Sequence, residues 1–100
     1  IDNIAIATLA EFSSIEVDQE YIQLMPNPAN NNIKIAWKAN NKQDIEIELI
    51  DLSGRILSKK AFSNQQHLEL NWNLSDYDKG YYFFRLTSTK GSVTKGFIKN

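Results

Sequence analysis

From Tyr21 onward, apolar and polar residues alternate with a period of two. Ile33, Ile35 and Trp37 alternate with Lys34, Ala36 and Lys38; Ile45, Ile47 and Leu49 with Glu46 and Glu48; Leu68, Leu70 and Trp72 with His67, Glu69 and Asn71. Successive side chains of a strand point to opposite faces, so this pattern builds sheets with one buried face. No segment beyond residue 20 carries a convincing 3.6-residue period. Punctuation supports strands as well. Asn40-Asn41-Lys42 reads as a turn, and Lys90-Gly91 as another. Asp51-Leu52-Ser53-Gly54 reads as a tight turn in which Gly54 takes positive φ, and Arg55 starts the returning strand, which makes residues 44–61 a hairpin. Gly80 opens Tyr81-Tyr82-Phe83-Phe84-Arg85-Leu86, apolar on both parities and therefore expected to be central and covered on both sides. The count is about seven short strands with turn signals every 8–12 residues, which predicts an all-β, immunoglobulin-like sandwich.

Both prolines fall in one stretch, Pro26-Asn27-Pro28-Ala29, followed by Asn30-Asn31-Asn32. Proline fixes φ, lacks an N–H and pushes the preceding residue into extended geometry, so Met25 and Asn27 are expected to be extended. The asparagines that follow tolerate left-handed backbone and mark a turn. The stretch is a stiff elbow between a short strand, Tyr21 to Leu24, and the strand beginning at Ile33. It is expected to act as a boundary marker rather than as an active site.

Length and charge bound the function. One hundred residues fit one domain with a real core. Eleven basic and 12 acidic side chains leave a formal charge of -1, against the basic excess of a nucleic-acid or anionic-membrane binder. No apolar run approaches the roughly 20 residues that span a bilayer as a helix. The chain has no cysteine, which excludes disulfides and thiolate metal sites and is compatible with export without oxidative folding. Residues 1–20 differ from the rest, with Ile4-Ala5-Ile6-Ala7-Thr8-Leu9 followed by a Ser/Glu/Asp mixture. They read as a strand and linker or a short helix over 3–12, and are taken as the linker or tail of a preceding domain, with the folded domain over 21–100. Residue 1 is Ile with no charged-then-apolar leader, so the chain is expected to be a piece of a longer protein, ending naturally at Asn100.

The candidate chemistry is thin. His67 can be imagined in a triad with Asp51 and Ser53, but no nucleophile-elbow sequence surrounds them, and alternation puts His67 on a polar face. Asp76-Tyr77-Asp78 resembles part of an oxygen-ligand loop, yet Gly80 and Thr87 stand where further ligands belong. A strand-connecting turn is the plainer reading. Glu46 and Glu48, with Lys34 and Lys38, are expected to pair across strands rather than to act as hydrolytic carboxylates, for want of an apolar cleft. A sugar-stacking platform of Tyr77, Tyr81, Tyr82, Trp37 and Trp72 is the sharper reading, but the parity of both tryptophans assigns them to the core. Lys95 and Lys99 project to one side of the last strand, as a charged edge or as a recognition stripe. No catalytic residue, metal site or cofactor is expected.

These motifs in this order resemble the C-terminal sorting domain of the type IX (Por) secretion system. The resemblance covers about residues 21–100. Leu24-Met25-Pro26-Asn27-Pro28-Ala29 matches the family's Pro-Asn-Pro opening, and Ile50-Asp51-Leu52-Ser53-Gly54-Arg55 its Asp-Leu-x-Gly-Arg hairpin. Leu74 with Gly80-Tyr81-Tyr82-Phe83 matches its Leu-x(n)-Gly-x-Tyr motif, and Lys95 with Lys99 its lysine-bearing last strand. Two departures stand out. Gly96 occupies a position where members carry an apolar residue, which is expected to loosen that strand, and Asp76-Tyr77-Asp78-Lys79 replaces the Leu-Pro-Ala type approach to the glycine. The resemblance implies a non-catalytic address label on exported cargo. It implies transit through the periplasm, recognition by an outer-membrane translocon, removal by a sortase-like surface protease, and cargo attached to anionic lipopolysaccharide or released. Pro26, Asn27, Pro28, Gly80, Tyr82, Lys95 and Lys99 would then be sorting-motif residues, and Asp51, Gly54 and Arg55 the turn. The alternatives are an accessory sandwich that binds carbohydrate or a surface partner, and a structural spacer.

Overall fold

The computed structural model describes residues 21–100, so the expected linker over 1–20 lies outside the described residues. Five antiparallel strands follow one another: β1 (Tyr21–Met25), β2 (Asn32–Asp51), β3 (Ile56–Asn73), β4 (Gly80–Ser88) and β5 (Gly91–Lys99). All belong to one sheet, in which β1, β2, β4 and β5 lie in that order and β3 also pairs with β2. The all-β expectation holds. The seven-stranded count is corrected to five, because the seven expected segments are all present but two pairs are fused.

Residues 33–38 and 44–50 are halves of β2, and residues 56–61 and 67–72 are halves of β3. Asn40-Asn41-Lys42, expected as a chain-reversing turn, is instead an irregularity inside β2: Ala39 to Lys42 face only Gln66 on β3. Two long strands stay paired because each bulges near the other. On β3, Asn64 takes a left-handed φ of 57° and its N–H donates to Asp44 Oδ1 at 2.9 Å. The sheet curls here. Lys60 and Trp72 are both on β3, where 12 residues of straight strand would part them by about 40 Å. Lys60 Nζ nonetheless lies 4.5 Å from the centre of the Trp72 ring.

The curl gives the sheet an inside. The first half of β2 lies between β1 and the end of β3, and its second half between the start of β3 and β4. Parity survives the bend, so Ile33, Ile35, Trp37, Ala39, Ile45, Ile47 and Leu49 all face one core. Trp72 from one end meets Phe84 from the other at 5.0 Å between ring centres, and Phe84 stacks on Phe97 at 5.1 Å. Each such buried aliphatic or aromatic side chain contributes about 1.5–3 kcal/mol relative to exposure. One expectation about β4 is revised. Tyr82, Phe84 and Leu86 are buried, but on the other face Phe83 and Arg85 are half-buried and Tyr81 is exposed, so β4 is covered on one side only.

Candidate functional site

The elbow does more than separate two strands. Both X–Pro bonds in it, Met25–Pro26 and Asn27–Pro28, are cis. Its residues are stitched to the far end of the chain: Ile98 N–H donates to Asn27 Oδ1 at 3.0 Å, and Ala29 N–H donates to Ile98 C=O at 2.8 Å. Asn100 N–H donates back to Ala29 C=O at 2.8 Å, which makes Ala29 and Lys99 a parallel bridge. Ala29 is fully buried, and β1 is paired with β2 before the elbow begins. The elbow is therefore not a boundary marker. It lies inside the fold and clamps the last strand.

The other two motifs reach the same end. Asp51 pairs with Tyr82 between β2 and β4, and Gly80 pairs with Lys99 between β4 and β5. Between them lies a shallow, open cavity of about 300 Å³ lined by Asp51, Leu52, Ser53, Lys79, Gly80, Tyr81 and Tyr82. Tyr82 points inward, stacks on Phe97 at 5.9 Å, and its hydroxyl donates to Asp78 C=O at 2.6 Å. Burial first, and the negative charge of Asp78 second, push the Tyr82 phenol above its ordinary range. The Asp51 turn is built around its own carboxylate. Oδ1 accepts from Ser53 N–H at 3.0 Å, Ser53 Oγ at 2.7 Å and Arg55 N–H at 3.0 Å, while Oδ2 accepts from Arg55 Nε at 3.0 Å. These bonds, led by the Ser53 hydroxyl and the Arg55 amide, lower the carboxyl from its ordinary 3.8 to about 2. Gly54 takes a φ of 93°, as the turn requires of a residue without Cβ.

The two lysines of β5 share a parity but not an environment. Lys95 is exposed, opposite Phe84, whereas Lys99 is buried with its amine 3.4 Å from the Asn100 carbonyl. Lys99 lies beside Ala29 of the elbow and is buried, so one exposed charge stands where two were expected. Gly96 is not a loose point in the strand. The Tyr81 ring lies across it, and a Cβ there would sit 2.8 Å from the Tyr81 hydroxyl. On the same outer face Arg85 Nη2 meets Glu48 Oε1 at 2.6 Å, with Glu48 buried and Arg85 half-exposed. Arg85 Nε donates to that same oxygen at 2.7 Å, and the two residues stand directly opposite each other in the pairing of β2 with β4, so this charge-assisted contact ties the two strands together.

The chain matches the family of secretion-system C-terminal sorting domains over residues 23–100. It belongs to that family. The sorting domain is the C-terminal signal of type IX secretion, and domains of this kind direct export to the cell surface or beyond and are not enzymes. A comparison with curated proteins gives no match.

Of the foreseen sorting-motif positions, Asn27 meets Ile98, Gly80 pairs with Lys99, and Tyr82 pairs with Asp51 of the turn. Lys95 stands four residues back along β5. The imagined triad does not assemble, since His67 lies opposite Lys38 and Asp51 is at the far end of β2. Both tryptophans are buried, as their parity implied. The charged partners differ from those expected, because Lys34 and Lys38 share a strand with Glu46 and Glu48. The pairs that form are Lys34 with Glu69 and Lys59 with Glu46, each at 3.6 Å, besides Arg85 with Glu48. Among the described residues no cluster of three or more acidic, His or Cys side chains is placed to hold a metal ion, and no helix is long and apolar enough to cross a membrane. Ile98 was missed, as were the contacts of Ser53 with the Asp51 carboxylate and of Tyr81 with Gly96. The Asp-x-Ser spacing of an Asx turn signals Ser53. No local pattern signals that Asn27 reaches Ile98.

Proposed function

We propose that the sorting domain travels as a folded label and is read on its last hairpin, residues 80–99, by the outer-membrane translocon of the type IX system. The observation that carries this reading is the clamp: the elbow holds the end of β5 in a fixed place, next to the Asp51 turn and the Gly80 motif. A terminal strand held this way presents a defined surface rather than a fraying end. Residues 1–20 act as the linker to a preceding cargo domain. A sortase-like surface protease cuts within that linker after transit through the periplasm, and the cargo is then attached to anionic lipopolysaccharide or released. Pro26, Asn27, Pro28, Gly80, Tyr82 and Lys99 shape the surface, and Lys95 supplies its exposed charge. The curled sheet serves as an immunoglobulin-like sandwich in which β2 and β3 each contribute to both layers, and the domain itself carries no catalysis.

Deleting residues 91–100 from a cargo fusion should leave the cargo in the periplasm, seen by fractionation and surface protease access. Normal delivery of the truncated fusion would falsify the reading. A second reading, an accessory carbohydrate module, draws on one observation: Tyr81 is 47% exposed and packs against Phe83 at 5.2 Å. A glycan array probed with the folded chain separates the two readings, and the sorting reading expects no binding that depends on Tyr81.

A further inference from the structure

Charge is segregated along this chain in a way that its net value hides. Gly80 to Asn100 contains Arg85, Lys90, Lys95 and Lys99 and no acidic residue, so all 12 carboxylates and the other seven bases lie before it. Arg85 is committed to Glu48 at 2.6 Å, and Lys99 is buried. Lys95 remains exposed and gives the outer strand a positive character.

That strand is also an edge. Among the described residues β5 pairs with β4 alone along its length, and the elbow meets it at its end. The N–H and C=O of Ile98 both bond outward, to Asn27 and Ala29, and those of an antiparallel strand alternate in direction. The outward groups of β5 are therefore those of Ser92, Thr94, Gly96 and Ile98. Only the last of these is taken by the elbow. The free stretch is bounded at one side by Asn27 and at the other by the turn at Thr89–Lys90. It is flat where it matters, since Gly96 has no side chain and the Tyr81 ring lies over that position.

We propose that this edge, from Ser92 to Gly96, receives an extended acidic segment of the export machinery as an added strand. The inference rests on the sorting reading above. Main-chain bonds to three outward residues would give the affinity, as in other cases of strand addition, and carboxylates facing Lys95 would give the choice of partner. A second copy of the chain is a poor occupant, because two such edges set together place lysine against lysine. The clamp fixes the register, for a strand sliding past Gly96 runs into Asn27.

The test uses the full chain on its cargo in a secreting strain. Thr94→Pro removes one outward N–H without touching a bond to β4, and Lys95→Glu reverses the exposed charge. The double variant is expected to lower surface delivery about tenfold while circular dichroism and Tm of the purified protein stay near wild type. Should the proline unfold the domain, Lys95→Glu alone decides: delivery must fall, and Lys95→Arg must restore it. A photoreactive phenylalanine analogue installed at Thr94 should cross-link to an Asp/Glu-rich segment of an export component. Wild-type delivery by Lys95→Glu overturns the inference, as do cross-links to a basic segment, to residues 1–20 of the same chain or to a second copy. If these variants are delivered while the 91–100 deletion is not, this inference fails alone. If the deletion is delivered too, the sorting reading fails with it.

Discussion

The Asp51 turn and the Pro26–Ala29 elbow both reverse the chain between strands, yet they are held in opposite ways. Every hydrogen bond of the Asp51 carboxylate closes within four residues, on Ser53 and Arg55. The side-chain bond from Ile98 to Asn27 spans 71 residues of sequence, and Ala29 bonds to Ile98 and Asn100, the residues on either side of Lys99 in the same distant segment. A local turn can form as soon as its own residues are made. The elbow cannot finish its bonding until β5 has docked on β4, since Ile98 to Asn100 must already be in place. The turn therefore sets the β2–β3 register from its own residues, whereas the elbow's bonding is complete only once residues 98–100 are seated.

The comparison breaks most severely at Ala29. Its side chain is fully buried, and its N–H and C=O both bond to the last strand, so Ala29→Leu has no space to enter without moving the clamp. The expected cost is about 1–3 kcal/mol, from forced backbone shifts around an overfilled site. Urea unfolding should show the loss, and amide exchange at Asn100 should speed by more than exchange at Gly54. Equal effects at both amides would mean that the elbow is no tighter a link to the C-terminus than the turn is. Asn27→Ala is the gentler cut. It leaves the Ile98 N–H without its acceptor and should cost about 1 kcal/mol, with exchange at Ile98 rising first. Asn27→Asp, which keeps the acceptor oxygen, should retain most of the stability.

The same contrast explains what could be read without coordinates. The period of two along Ile33, Ile35 and Trp37 named the core face, and it held through the bend in β2 because the bulge there restores parity by Gln43. Asp51, Gly54 and Arg55 were legible because all of their chemistry is local. What escaped was any contact whose partner is chosen by tertiary placement: Asn27 with Ile98, Tyr81 over Gly96, Arg85 on Glu48. The asparagines at 40–41 misled for a related reason. Their composition says that the backbone leaves regular geometry, but not whether it reverses or only bulges. That choice was made by β3, which continues alongside through Gln65 and His67 and keeps β2 paired on both sides of the irregularity.

The smallest effect, and the sharpest on the local side of the comparison, is in the acid response of Asp51. Its folded pKa of about 2 lies below its ordinary 3.8, so the unfolded chain takes up the proton more readily. The carboxylate thus stabilises the fold fully above pH 3.8, and that contribution is lost progressively as the pH falls through about 2. Asp51→Asn keeps an oxygen that can accept from Ser53 and Arg55 but removes the charge. The variant should be weaker than wild type at pH 7, and the two urea midpoints should approach one another as the pH drops from about 4 to 2. Parallel midpoints across that window would show that Asp51 does not carry the acid sensitivity assigned to it. Salt tells the two kinds of bond apart. Arg55 is 75% exposed on its side chain, so its ion pair is screened and small, while the bonds from Ser53 and the Arg55 amide are not. The difference between wild type and Asp51→Asn at pH 7 should therefore survive high salt, as a turn held by its own hydrogen bonds requires.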